Sequence, residues 1–197
     1  MIVEQSRRLI VGMTGATGII YGVRLLQTLR RLKIETHFVV TKPAEMTAVY
    51  EWPEPIKSIR ALADFNYGIA DIGAAIASGS FRTMGMIVAP CSARTVAEIA
   101  SGASSNLLTR AADVCLKERR RLVLMVRETP LHTGHLRAML AASEIGAIIA
   151  PPVPAFYSKP ATLDAMIDHT IGRVLDLFDL EASLVDRWTG HRPTKNN

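Results

Sequence analysis

The chain opens on a short apolar run, Leu9-Ile10-Val11, followed by Gly12, Gly15 and Gly18 at three-residue spacing. Ile19, Val23, Leu26 and Leu29 then recur at helical spacing. The run is too short for a helix, so the pattern predicts a strand, a tight loop and a crossover helix over 19–32. The alternation continues with a second strand over 35–41 and a helix opened by Pro43 and running to about Tyr50, which Trp52-Pro53-Glu54-Pro55 ends. Ser58 to Asp64 reads as a short helix. Residues 66–82, rich in alanine, glycine and serine, lack a period and read as a mostly irregular excursion with room for a short strand or two.

Gly85 to Ala89 is a buried strand ended by Pro90-Cys91-Ser92, and Ala93 to Ser101 continues as a helix. Asn106 caps a further helix reaching about Arg119. Leu122 to Val126 and residues 146–150 are strands around a helix over 134–144, and an amphipathic helix runs from about Leu163 to Leu180. A polar tail follows from about 181, with Trp188 as its one large anchor. Strands alternating with helices mean an α/β fold with a mainly parallel sheet and right-handed crossovers. Ligands of such sheets sit beyond the carboxyl ends of the strands. Here those ends carry Thr14 to Gly18, Thr41-Lys42, Cys91 to Thr95, Arg127-Glu128 and the segment before Tyr157.

Composition narrows this only a little. At 197 residues and 49% hydrophobic, the chain suits one domain, 1–197, with a sizeable core. Cys91 and Cys115, with no signal peptide, fit a reducing cytoplasm, and no run approaches the ~18 residues of a membrane span. The net charge of +5 is densest at Lys117 to Arg121, where cations at a helix end complement its dipole. No aromatic interleaving accompanies it, which argues against nucleic acid as partner.

The glycine loop is where the chemistry starts. A loop of this kind lets backbone N–H groups approach an anion, and the following helix adds the partial positive charge of its N-terminus. Its spacing is G-x-x-G-x-x-G, whereas the dinucleotide fingerprint is G-x-G-x-x-G with an acidic residue about twenty positions on. Here the second strand ends in Thr41-Lys42, and no Gly-Lys-Ser/Thr follows the loop. A mononucleotide or another phosphate ligand is therefore favoured over NAD or ATP, with a ligand-free tight connection as the plainer alternative. Ser92 and Thr95 are placed either to cap a helix or to hold a ligand, and the two roles are compatible. Cys91 reads as a small buried residue rather than a nucleophile. Arg110 and Lys117, two turns apart on one helix face, can clamp a phosphate, including one bound by a neighbouring subunit, or form a solvated face with Asp113. Glu128 can move a proton and Arg127 can hold an oxygen-rich ligand. His132 and His135 lack a third metal ligand.

Taken in order, the motifs Gly-Met-Thr-Gly-Ala-Thr-Gly (12–18), Ala-Pro-Cys-Ser (89–92), Arg-Ala-Ala-Asp-Val (110–114) with Leu-Lys-Glu-Arg (116–119), Arg-Glu-Thr-Pro (127–130) and Pro-Ala-Phe-Tyr (154–157) resemble the UbiX/Pad family of flavin prenyltransferases. The resemblance runs from about residue 8 to Trp188. It implies a three-layer Rossmann-like flavoprotein fold and a metal-independent enzyme, with no metal site. Such enzymes transfer the dimethylallyl group of dimethylallyl monophosphate to N5 and C6 of reduced FMN. The product, prenylated FMN, serves a UbiD-type decarboxylase, and a flavin reductase supplies reduced FMN. A homododecamer with sites shared between subunits is implied as well.

By position, the resemblance assigns FMN to Gly15, Ala16, Thr17, Thr41, Ser92, Ala93, Arg94, Thr95 and Arg127. It assigns the prenyl phosphate to Arg110, Lys117, Tyr157 and Arg173, and catalysis to Glu128, Glu51 and Thr17. Three departures stand out: Thr17 where many members have serine, Val126 where proline often precedes Arg-Glu, and Arg137 at a position commonly glutamate. A non-catalytic FMN-binding subunit of an aromatic acid decarboxylase system is the alternative reading.

Overall fold

The computed structural model describes residues 7–185. They fall into two compact units divided between Val153 and Pro154. The first holds a six-stranded sheet in the order β3-β2-β1-β4-β5-β6, every pair parallel. Its elements are β1 (Arg8–Met13), α1 (Ile19–Arg31), β2 (Glu35–Val40), α2 (Lys42–Glu51), α3 (Ile56–Arg60), β3 (Phe65–Tyr67), β4 (Gly85–Cys91), α4 (Ala93–Ala100), α5 (Leu107–Lys117), β5 (Arg121–Val126), α6 (Thr133–Glu144) and β6 (Ala147–Ile149). The second unit is built on α7 (Leu163–Asp176), preceded by a 3-10 turn over Phe156–Ser158.

The central strands are apolar throughout because both faces of the sheet are covered. Ile10, Val39, Met86, Val88, Leu122 and Leu124 form one face and share a core with Val96, Ile99, Leu108, Ala111 and Cys115 of α4 and α5. The alternate residues, Leu9, Val11, Met13, Phe38, Ile87 and Val123, are buried too. On that side α1 lies so near β4 that a Cβ on Gly22 would stand 2.4 Å from the Ala89 carbonyl oxygen and 2.4 Å from the Met13 methyl. These are the three layers of a Rossmann-like α/β fold.

Several boundaries differ from the sequence reading. The second strand stops at Val40, and Thr41, whose N–H still donates to the Met13 carbonyl at 3.0 Å, caps α2. The helix expected over 58–64 sits at Ile56–Arg60, and α7 ends at Asp176 rather than Leu180. The excursion over 66–82 contributes the edge strand β3 and a 3-10 turn at Ala75–Ala77. It is held from afar: Arg110 Nε donates to the Ala77 carbonyl at 3.3 Å, and Arg120 donates to the carbonyls of Gly79 and Phe81. Leu107 N–H also donates to the Ile69 carbonyl at 2.9 Å. Trp188 lies outside the described residues.

At this sheet edge His37 is 2% exposed, with Nδ1 2.8 Å from the Tyr67 hydroxyl and Nε2 2.9 Å from Glu35 Oε1. Its ring stacks on Phe65, and Arg8 pairs with Glu35 at 2.6 Å while lying over the Phe81 ring.

Candidate functional site

The chain reverses its direction of winding between β1 and β4, and a cleft of about 430 Å³ opens beyond their carboxyl ends. Three turns wall it: Thr14-Gly15 after β1, Thr41 to Pro43 after β2, and Ser92 to Thr95 after β4. Ile69, Glu98, Asn106 and Glu128 complete the lining. Gly15 permits the first two turns to touch, since a Cβ there would meet Pro43 Cβ at 2.4 Å.

Where the backbone donors go decides what the cleft can bind. Thr41 caps α2, its hydroxyl accepting from Ala44 N–H at 3.3 Å, and Ser92 caps α4, its hydroxyl accepting from Thr95 N–H at 3.3 Å. Ser92 therefore caps α4 while also lining the cleft. At the head of α4 the N–H groups of Ala93 and Arg94, both in the lining, have no acceptor among the described residues. That is a ready seat for a phosphate.

The head of α1, which the glycine loop had suggested for this purpose, is already taken. Gly18 is its N-cap with φ 102° and supplies no side-chain acceptor. Glu51, from the last turn of α2, instead accepts from Gly18 N–H at 2.8 Å and Ile19 N–H at 2.9 Å, both on Oε2. The anion on this helix terminus is a side-chain carboxylate.

The other assigned residues divide. Gly15, Thr41, Ser92, Ala93, Arg94, Thr95 and Glu128 line the cleft, whereas Ala16, Thr17, Arg127 and Glu51 are not in its lining. Thr17, Arg127 and Glu128 are exposed, and Arg127 is tied to β4 by its N–H donating to the Cys91 carbonyl at 3.0 Å. Arg110 and Lys117 are not in the lining. Arg110 pairs with Asp113 at 2.8 Å and Lys117 with Glu118 at 2.6 Å, and that hydrogen bond holds the Glu118 carboxyl below its usual range. In the second unit, the Tyr157 hydroxyl is 3.3 Å from His169 Nε2, and Arg173 pairs with Asp176 at 2.6 Å. Cys91 is buried and desolvation pushes its thiol far up, leaving it unfit as a nucleophile. Burial also raises Cys115, to about 12.

The sequence placed Thr14 and Lys42 at the ligand-facing strand ends without assigning either a contact, and it gave no ligand role to Ile69, Glu98 or Asn106. Glu98 was detectable as the i+4 partner of Arg94: its Oε1 accepts from Arg94 Nε at 2.9 Å and its Oε2 from the Ser105 hydroxyl at 2.8 Å. Ile69 belongs to the aperiodic excursion and left no signal. His132 caps α6 through Nδ1, which accepts from Gly134 N–H at 3.0 Å, and stacks on His135. Among the described residues no group of three or more His, Cys, Asp or Glu is placed to hold a metal ion.

Comparison with known proteins agrees with this geometry. A family model described as Flavoprotein matches residues 3–188. A flavin prenyltransferase UbiX from Thauera aromatica is 53% identical over 184 residues, covering 93% of this chain and 95% of that protein. A crystal structure of AnUbiX (PadA1) in complex with FMN and dimethylallyl pyrophosphate superposes with a TM-score of 0.92 at 53% identity, covering 94% of this chain and 99% of that one. A dodecameric FMN-dependent UbiX-like decarboxylase from Escherichia coli O157:H7 superposes with a TM-score of 0.90, also at 53% identity, over 93% of this chain and 100% of that one. With more than nine-tenths of its length matched at over half identity, the chain belongs to the flavoprotein family and, within it, to the UbiX flavin prenyltransferases.

Proposed function

We infer that the protein is a flavin prenyltransferase. It joins the dimethylallyl group of dimethylallyl monophosphate to N5 and C6 of reduced FMN, closing a fourth ring and releasing phosphate. The observation that carries this is the cleft beyond β1 and β4, with free N–H groups at the head of α4, in a chain 53% identical to AnUbiX solved with FMN and dimethylallyl pyrophosphate.

In this reading Gly15, Ala16, Thr17, Thr41, Arg127 and the turn Ser92 to Thr95 hold FMN, with the phosphate on the Ala93 and Arg94 N–H groups. Arg110 and Lys117 come from a neighbouring subunit and, with Tyr157 and Arg173, grip the prenyl phosphate and stabilise charge on its departing oxygens. Glu128 takes the C6 proton. Glu51 is anchored through Oε2, and its Oε1, without a partner among the described residues, is left to exchange a proton, with the Thr17 hydroxyl assigned to catalysis alongside it.

A dodecamer like that of the Escherichia coli relative supports the shared site. Prenylated FMN would pass to a UbiD-type decarboxylase, reduced FMN would come from a flavin reductase, and a cytoplasmic setting fits two free, buried cysteines. No helix among the described residues is long and apolar enough to cross a membrane.

Incubation with reduced FMN and dimethylallyl monophosphate under anaerobic conditions tests the reading. A flavin heavier by one dimethylallyl unit, with a changed absorption spectrum, supports it. Bound but unaltered FMN would instead favour a non-catalytic flavin-binding subunit.

A further inference from the structure

We infer that Thr14 is a positioning residue for the flavin, an inference that rests on the FMN reading above. Thr14 directly follows β1, lines the cleft and is 1% exposed. Its hydroxyl donates to the Pro90 carbonyl at 3.0 Å and accepts from Ser92 N–H at 2.7 Å. Its own N–H donates to the Pro90 carbonyl at 3.1 Å. One buried side chain thus meets both of its bonding directions on the turn between β4 and α4.

The fold does not depend on this hydroxyl to join the two strands. β1 and β4 pair from Ile10↔Met86 to Gly12↔Val88, and the Thr14 N–H already extends that connection to Pro90. What the hydroxyl adds is a constraint on Ser92, beyond the end of the ladder. Ser92 is the N-cap of α4, and the residues right after it carry the two free N–H groups assigned to the FMN phosphate. By accepting the Ser92 N–H, Thr14 removes that donor from the cleft and fixes the backbone from which Ala93 and Arg94 follow. Gly15, its neighbour, is pressed onto Pro43, so the same dipeptide also sets the turn after β2. Thr14-Gly15 therefore joins the three turns that wall the cleft.

The test removes the oxygen and keeps the shape. Thr14→Val is compared with wild type and with Thr14→Ser for FMN affinity, for the visible spectrum of the bound flavin, and for thermal unfolding without flavin. Loss of one buried, well-formed hydrogen bond at the seat predicts FMN binding weaker by on the order of tenfold and blurred flavin bands in Thr14→Val, with recovery to near wild type in Thr14→Ser. Should Thr14→Val fail to fold, Thr14→Ala, which relieves any crowding, is measured in the same way. Wild-type affinity and spectrum in whichever hydroxyl-free variant folds, even with a lower melting temperature, would reduce Thr14 to a structural residue and overturn the inference. A wild-type protein that binds no FMN would overturn the flavin reading and this inference together.

Discussion

Glu51 caps Gly18 across 33 positions of chain, its Oε2 accepting the Gly18 N–H at 2.8 Å and the next N–H, of Ile19, at 2.9 Å. A helix whose N-cap is glycine has no side chain of its own to satisfy these donors, and a carboxylate also complements the helix dipole. Glu51 therefore has a structural duty that is separable from its proposed catalytic one. Glu51→Ala should lower stability by about 1 kcal/mol, the usual cost of a lost cap. Glu51→Gln keeps an acceptor oxygen and should retain most of that stability, while prenyl transfer in a single turnover slows by roughly a hundredfold for want of an ionisable group. Thermal unfolding and single-turnover rates on both variants separate the two duties, and equal slowing with equal destabilisation would refute the separation.

Arg94 is 81% exposed at its side chain yet is tethered by Glu98, which is 19% exposed and also takes the Ser105 hydroxyl. The tether engages Nε and leaves the two terminal nitrogens of the guanidinium for a phosphate. Glu98→Gln should weaken FMN binding several-fold, roughly the worth of one charge-assisted contact in a solvated setting, and leave riboflavin binding unchanged. Titration with both flavins measures this. A parallel loss for riboflavin would mean that Glu98 supports the wall of the cleft rather than Arg94.

The pH dependence of stability follows from the buried corner at the sheet edge. Desolvation holds His37 below its ordinary value of 6.5, against the opposing pull of Glu35. The hydrogen bond from His37, and then Arg8, hold Glu35 below 4.5. Both groups bind protons more readily in the unfolded chain, so each contributes stability that is complete above its unfolded value and is lost as pH falls. The urea midpoint should decline in two stages, the first setting in below about pH 6.5 and the second below about 4.5. His37→Gln, which cannot protonate, should flatten the first stage. An unchanged profile in that variant would assign the decline to other groups.

The alternation of strands and helices was readable because each covered strand is an apolar run and α2, α4 and α5 carry their own caps in Thr41, Ser92 and Asn106. The three turns walling the cleft followed from the same reading, since they are strand ends. The excursion over 66–82 was readable as mostly irregular with a short strand, but what holds it was not, because Arg110 and Arg120 bind its carbonyls and such contacts leave no period. Nor was the capping of α1 by a residue 33 positions away, which fills the helix end behind the glycine loop and leaves the free donors at the head of α4. The resemblance named Arg110 and Lys117, but spacing alone did not say that they stand outside their own chain's cleft.

That separation makes a prediction about the assembly. If Arg110 and Lys117 served a cleft in their own chain they would line it, but they do not, and each rests on a neighbouring carboxylate. A second copy that brings its α5 to the cleft would place these cations against the prenyl phosphate. Lys117→Ala should then raise KM for the prenyl donor by roughly ten- to a hundredfold, as expected for a desolvated phosphate contact, with FMN affinity unchanged. Glu128→Gln should lower kcat instead. When the two impaired variants are dissociated, mixed and reassembled and assayed at a low donor concentration, some sites receive an intact lysine from one chain and an intact glutamate from the other. Activity in the mixture should exceed that of either variant alone and vary with the mixing ratio. A mixture no more active than its parents after verified subunit exchange would place both residues in the same chain's site.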